Sequence, residues 1–223
     1  MNGDAPGSGI CNICGYVSGD HPNGSRLLRV CPSCKAYPRQ RSFKQVFTRI
    51  LEPEIFADGS WRDALLLSPG TVERSLLEAR FAKCVLSSLY QSYPGKFVRA
   101  DVRDLAPFRD ASFDFVQACN VIDYIPEMER AIAAVHRVLR PQGVFCFLIL
   151  EHSLLDGDAA ISVTTRKAPT GNYWPDKNAV PDVSIGRQRL ARILADTGFS
   201  ARELRLTEPL SASPNSWWLC RRA

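Results

Sequence analysis

Apolar residues along this chain follow two different periods, and the change between them divides the sequence. Over 39–51, RQRSFKQVFTRIL sets Phe43, Val46, Phe47, Ile50 and Leu51 at helical spacing against an Arg/Lys face. That pattern predicts an amphipathic helix, ended by Pro53, whose apolar stripe docks the preceding segment onto the following one. From Trp61 onward, short apolar runs alternate with helical stretches. Strands are predicted at 64–67, 84–87, 97–98, 113–118 and 144–150, with helices at 71–80 and 127–139. The second of these helices is the clearest. Met128, Ile132, Val135 and Leu139 share one face, Glu127 and Glu129 sit in the first turn, Arg137 and Arg140 in the last, and Pro141 stops it.

Strands alternating with helices imply βαβ units, so the expected fold is α/β with a Rossmann-like, mostly parallel sheet. A last helix over 184–196 leads to strands at 201–207 and 217–221, whose short connection makes them antiparallel neighbours. Between strand five and that helix lies a polar and aromatic stretch, 152–183. Structureless segments of this length are functional or disordered. Arg166, Tyr173 and Trp174 there read either as a lid or as an ordinary surface excursion.

With 223 residues, the chain has room for one substantial domain and a small appendage. The expected division is a disordered tail over 1–9, a metal module over 10–38, a linking helix over 39–60 and the α/β domain over 61–223. The longest apolar run, 144–150, is far shorter than the roughly 20 residues of a membrane helix, so no membrane partner is expected. No basic segment followed by an apolar one opens the sequence, which predicts a cytoplasmic protein.

Charge and cysteine content set the first fifty residues apart. They hold Arg26, Arg29, Lys35, Arg39, Arg41, Lys44 and Arg49 against only Asp4 and Asp20, and the remainder is balanced, giving the net +5. Such an excess fits either a phosphate or nucleic-acid partner or a solvated face offsetting the negative charge of a metal–thiolate cluster. Cys11, Cys14, Cys31 and Cys34 form C-x2-C, sixteen residues, C-x2-C, with Gly15 and Pro32 suited to the turns. Two such knuckles present four thiolates tetrahedrally to Zn²⁺ and leave no open coordination position, which is structural rather than catalytic chemistry. Disulfides are the alternative, uncommon in the cytosol. Cys84, Cys119, Cys146 and Cys220 each lie in an apolar strand and read as core packing.

The block 98–150, with S-F-D entering strand four and a helix ending R-V-L-R-P-Q-G into strand five, resembles the central region of class I S-adenosylmethionine-dependent methyltransferases. With the antiparallel terminal pair, the resemblance covers about residues 61–222. CPSCKAYPRQRS, 31–42, further resembles a subgroup carrying an N-terminal zinc module. An open parallel sheet binds ligands beyond the carboxyl ends of its strands. The residues there are Ser68, Pro69 and Gly70 after strand one, Ser88 after strand two, Asp101 and Val102 after strand three, Asn120 after strand four, and Glu151 and His152 after strand five.

The resemblance implies S-adenosylmethionine as cofactor, with the first loop against its methionine part, Ser88 standing where an acid holds the ribose, and Asp101 facing the adenine amino group. Ser88 offers a neutral hydrogen bond where the family has a charge-assisted one, and the first loop has a single glycine. Methyl transfer needs proximity and, for a poor nucleophile, a general base. Asp123, Tyr124, Glu151 and His152 are the candidates. Each has a bland role too: Asp123 as a helix cap, Tyr124 in packing, Glu151 in solvent, His152 as a structural histidine. The expected function is methyl transfer to a small-molecule acceptor. The alternatives are an RNA-modifying enzyme that contacts phosphate through Arg26, Arg29, Lys35, Arg39, Arg41 and Lys44, or a member of the fold that no longer methylates.

Overall fold

The computed structural model describes residues 9–18, 30–167 and 178–223. At the start of the described chain, two knuckles are built alike. The amide of Gly15 donates to the carbonyl of Cys11 at 2.8 Å, and that of Lys35 to Cys31 at 2.9 Å. Cys11 N–H in turn donates to Tyr16, and Cys31 N–H to Ala36. Each knuckle thus closes through the residue after its second cysteine, in the left-handed region: Gly15 at φ 77° and Lys35 at φ 60°. Glycine adopts that conformation freely, whereas lysine does so under strain.

Helix α1, Pro38–Val46, starts at a proline, which loses no needed amide there. Gln40 reaches back to accept from the Tyr37 amide at 3.0 Å, one arm of a capping box. The helix does not end at Pro53. It widens into a π-helical segment, Phe47–Ile55, with Pro53 inside, closed by the Phe56 amide on the Leu51 carbonyl at 2.7 Å. Widening carries the ring away from the carbonyl four residues back, the clash that normally makes proline a stop.

The main sheet has seven strands in the order β3-β2-β1-β4-β5-β10-β9. They are β1 (Asp63–Leu67), β2 (Lys83–Ser88), β3 (Phe97–Arg99), β4 (Phe113–Cys119), β5 (Leu139–Ile149), β9 (Phe199–Thr207) and β10 (Pro214–Arg222). The first five are mutually parallel, and β10 is antiparallel to both β5 and β9. This is the doubly wound architecture expected, with an antiparallel end. Helices cover both faces. Helix α3 (Met128–Val138) and α4 (Arg187–Asp196) enclose one core with Phe145, Phe147 and Leu190. Helix α1 and α2 (Thr71–Glu78) enclose the other with Phe43, Phe115 and Trp217.

At the strand starts, the S-F-D and R-V-L-R-P-Q-G motifs meet. Asp114 accepts from the amides of Arg62 and Asp63, and Arg140 spans Asp114 at 2.7 Å and Asp63 at 2.8 Å. A Cβ on Gly143 would lie 2.8 Å from the Arg140 carbonyl and 3.0 Å from that of Asp114, so only glycine fits this crossing. The register slips between Phe113 and Phe115, which lets β5 begin at Leu139 and pass through Pro141 rather than begin at 144. These motifs clamp the end of the sheet opposite the strand tips.

Two expectations need correction. The stretch 152–183 is not structureless: β6 (Leu154–Leu155), β7 (Ser162–Arg166) and β8 (Val180–Gly186) form a second sheet in the order β6-β8-β7. Helix α4 therefore starts at Arg187 and not at 184, because Ser184 and Ile185 pair as strand with Ser162 and Leu154. The pairing joins segments that are not adjacent in sequence. Tyr173 and Trp174, Arg26 and Arg29, and residues 1–8 of the expected tail lie outside the described residues.

Candidate active site

The tips of the parallel strands open into a cavity of about 1350 Å³. Sites for one small ligand usually occupy roughly 300–1,000 Å³, so there is room for a cofactor and an acceptor together. Ser68, Ser88, Asp101, Val102, Asn120, Tyr124, Glu151 and His152 all line it. Pro69 and Gly70 do not. Pro69 is buried, and Gly70 faces a smaller cleft against the first helix, where Glu73 and Gln40 fill the space a Cβ would need.

On the strand-tip side, two adjacent tips carry non-glycine residues in the left-handed region, Ser68 at φ 49° after β1 and Asn120 at φ 54° after β4. Such strain persists where surrounding structure imposes it, and it clusters at functional sites. The Asn120 side-chain oxygen is buried with no partner among the described residues. The Ser68 hydroxyl donates to that of Ser88 at 3.1 Å, and Ser88 also accepts from the Gln91 amide at 3.1 Å. Ser88 therefore shapes the 88–91 turn and keeps its own proton to donate. Asp101 accepts from its own loop, at the Arg103 amide (2.9 Å) and in a fork from the Arg103 guanidinium (2.6 and 3.0 Å). Hydrogen bonds from Arg103 lower its pKa, so it stays an anion with lone pairs left to accept.

The facing side is built by the second sheet. Arg166 of β7 lies over the Tyr124 ring, donates to its hydroxyl at 2.8 Å and pairs with Asp182 of β8 at 3.1 Å. Asp182 also approaches His152 Nε2, at 3.7 Å, and the His152 ring is 57% exposed toward the opening. Burial pushes the Tyr124 hydroxyl up to about 12, so it holds its proton and serves as a donor, not a base. Asp123 points away, 1% exposed and absent from the cavity lining, and burial raises its carboxyl to about 7. The Glu151 carboxylate is spent on Arg187 at 2.6 Å and on the Ser216 hydroxyl. Of the four candidate bases, His152 alone combines access with a free ring nitrogen. Asp182 escaped the sequence reading, since nothing in its spacing marks it and only the β7–β8 pairing brings it to His152.

The four N-terminal sulfurs lie within 4.8 Å of one another, with Cys11–Cys34 at 3.7 Å and Cys14–Cys31 at 3.6 Å. Tetrahedral thiolates about 2.3 Å from Zn²⁺ sit roughly 3.8 Å apart, so this donor set fits the ion. The cluster is knitted to the domain. Arg41 forms a fork on Glu208 at 2.7 and 3.1 Å, both side chains wholly buried. Asn12 donates to the Arg41 carbonyl, Gly9 to that of Pro209, and Leu210 packs on Cys11 and Cys31. The elements so held, Tyr37–Arg39 and Ser213–Asn215, form one wall of the cavity. Among the described residues, no helix is long and apolar enough to cross a membrane.

Residues 71–147 match the family described as methyltransferase domain. No curated protein matches the sequence. Among solved structures, the 1,6-didemethyltoxoflavin-N1-methyltransferase of Burkholderia thailandensis, with 1,6-didemethyltoxoflavin and S-adenosylhomocysteine bound, superposes at TM-score 0.54 and 16% identity over 83% of this chain and 88% of its own. An S-adenosylmethionine-dependent methyltransferase from Mesorhizobium loti gives TM-score 0.54 at 15% identity over 73% and 91%. The [4+2]-cyclase SpnF gives 0.52 at 16% over 82% and 80%. At these identities the likeness is one of fold.

Proposed function

We propose that this chain is a class I S-adenosylmethionine-dependent methyltransferase whose cavity moves a methyl group from S-adenosylmethionine to a small-molecule acceptor, a reading supported by the methyltransferase-domain match over 71–147 and by the likeness of fold. The observation that carries the reading is the gathering of Ser68, Ser88, Asp101 and Asn120 from four separate strand tips into one cavity large enough for both ligands. Asp101 and Val102 would hold the adenine end, Ser88 the ribose, and Asn120 the interior. When bound, the cofactor supplies an electrophilic methyl on a sulfonium. The protein's share is to align the acceptor and take its proton. His152 accepts that proton, Asp182 stabilises the resulting imidazolium, and the Tyr124 hydroxyl, polarised by Arg166, orients a polar acceptor. Cys11, Cys14, Cys31 and Cys34 would hold a structural Zn²⁺, making 10–38 a zinc module.

A test is calorimetric titration with S-adenosylmethionine, followed by label transfer from its methyl group to pooled metabolites. Binding with transfer supports the proposal. Folded, zinc-loaded protein that ignores millimolar cofactor contradicts it. A second reading, another reaction in the same cavity, is favoured by Ser88 in place of an acid and predicts binding without transfer. SpnF, similar in fold, is a cyclase by name.

A further inference from the structure

We infer that the acceptor is a planar aromatic molecule with a single ionisable hydroxyl, held by Val30 and Tyr37 of the cysteine module; this deepens the methyl-transfer reading and rests on it. Half of the large apolar side chains left exposed among the described residues gather in one place. Val30, Tyr37 and Tyr90 line the main cavity, whereas Val17, Leu155 and Val163 do not. Scattered singly, such residues carry no message, but grouped on a ligand cavity they mark an apolar guest. Tyr90 follows Ser88 on the strand-tip side and so belongs with the nucleoside. Val30 and Tyr37 stand on the facing side, where the acceptor must lie.

The second knuckle is what brings these two together. Cys31 N–H donates to the Ala36 carbonyl at 3.0 Å, and Val30 and Tyr37 are the residues immediately outside that closure. The Arg39 guanidinium, 5.0 Å from the Tyr37 centroid, steadies the ring further. Three prolines extend the surface: Pro38 opens α1, Pro181 precedes Asp182 in β8, and Pro214 begins β10. Ser216 pairs with Ile149, so Pro214 stands beyond the tip of β5, beside the turn that carries His152. Tyrosine and proline rings present flat faces of low polarity, against which a planar π-system packs better than a puckered sugar.

Polar groups on this side are committed to one another. Arg166 pairs with Asp182, Glu151 with Arg187, and Asn215 donates to the Ser213 carbonyl at 3.0 Å. A guest rich in hydroxyls would leave several of them buried without partners, which costs binding energy. His152 remains accessible next to Asp182, so the guest places its ionisable hydroxyl there and its ring toward Tyr37.

The test sets 7-hydroxycoumarin, a flat ring system with a single ionisable hydroxyl, against methyl α-D-glucoside, a puckered ring rich in hydroxyls. Zinc-loaded full-length protein is first saturated with S-adenosylhomocysteine, and each probe is then titrated calorimetrically into wild type, Y37F, Y37A and V30S. We expect 7-hydroxycoumarin to bind wild type and Y37F alike, about 10-fold more weakly to Y37A and about 3-fold more weakly to V30S, with S-adenosylhomocysteine affinity unchanged throughout. The glucoside should not bind. Neither substituted side chain is buried, so the melting temperatures should match wild type; should Y37A melt early, V30S decides. Failure of 7-hydroxycoumarin to bind the saturated protein, equal affinity in wild type, Y37A and V30S, preference for the glucoside, or weakening of S-adenosylhomocysteine along with the probe overturns this acceptor class and leaves the methyl-transfer reading standing. Wild-type protein that does not bind S-adenosylhomocysteine removes that reading, and this inference with it.

Discussion

The two sides of the cavity are built by different means. The strand-tip side comes from one continuous piece of regular topology: β1, β2, β3 and β4 run parallel, and Ser68, Ser88, Asp101 and Asn120 arrive at their places because each lies at or just past the end of a strand. The facing side is assembled from parts distant in sequence, namely the α1 start behind the cysteine cluster, the β7–β8 pair and the loop before β10. One side is a consequence of the sheet. The other depends on specific tethers, chiefly the buried Arg41–Glu208 pair and the cysteine cluster, and it should fail separately.

The largest way to break that contrast is to strip the metal. Structural zinc sites contribute apparent binding free energies on the order of 10 kcal/mol, so chelation should release α1 and the β9–β10 loop. Hydrogen exchange should rise in 36–46 and 208–214 while β1, β4 and β5 stay protected. Uniform loss of protection would mean that the two sides form one unit.

Next in size is R41A, which leaves Glu208 buried and unpaired and should cost about 3–5 kcal/mol in denaturant unfolding. The double change R41M/E208L should restore much of that loss, since a buried pair exchanged for apolar side chains is often neutral.

Asp123 gives a smaller effect, read through pH. Its carboxyl is raised by burial to about 7 in the folded protein, against about 3.9 unfolded, so the native state holds the extra proton between those values. Its contribution to stability falls as pH rises from about 4 to 7 and is level above, at most about 4 kcal/mol over the window. Thermal melts of D123N should lack that slope.

Smallest and most local are the changes at the proposed base. H152A should lower the rate of methyl transfer about 100-fold, and D182N less, with cofactor affinity unchanged in both. Loss of cofactor affinity in either would place them on the strand-tip side instead.

What could be read in the sequence follows the same division. The parallel strands, the helix bearing Met128, Ile132 and Val135, and the two cysteine knuckles are local patterns of period or spacing, and the structure has them with ends shifted by a few residues. Pro53 misled because a stop signal assumes α-helical geometry, which the π-helical segment escapes. The β6-β8-β7 sheet was hidden because its strands are short and β7 is exposed, so no alternation with a buried face marks it. Asp182 and Glu208 were invisible for a further reason: each matters only through a partner many residues away, His152 or Arg41. Candidate residues at strand tips were legible from topology, but their commitments were not, as Glu151 tied to Arg187 illustrates.

The most direct measurement is a crystal structure of the zinc-loaded protein with S-adenosylhomocysteine. The account predicts density across the strand tips, adenine beside Asp101 and Val102, ribose at Ser88, and the tail running past Ser68. A saturated crystal with that cavity empty, or with the ligand seated elsewhere, would contradict it.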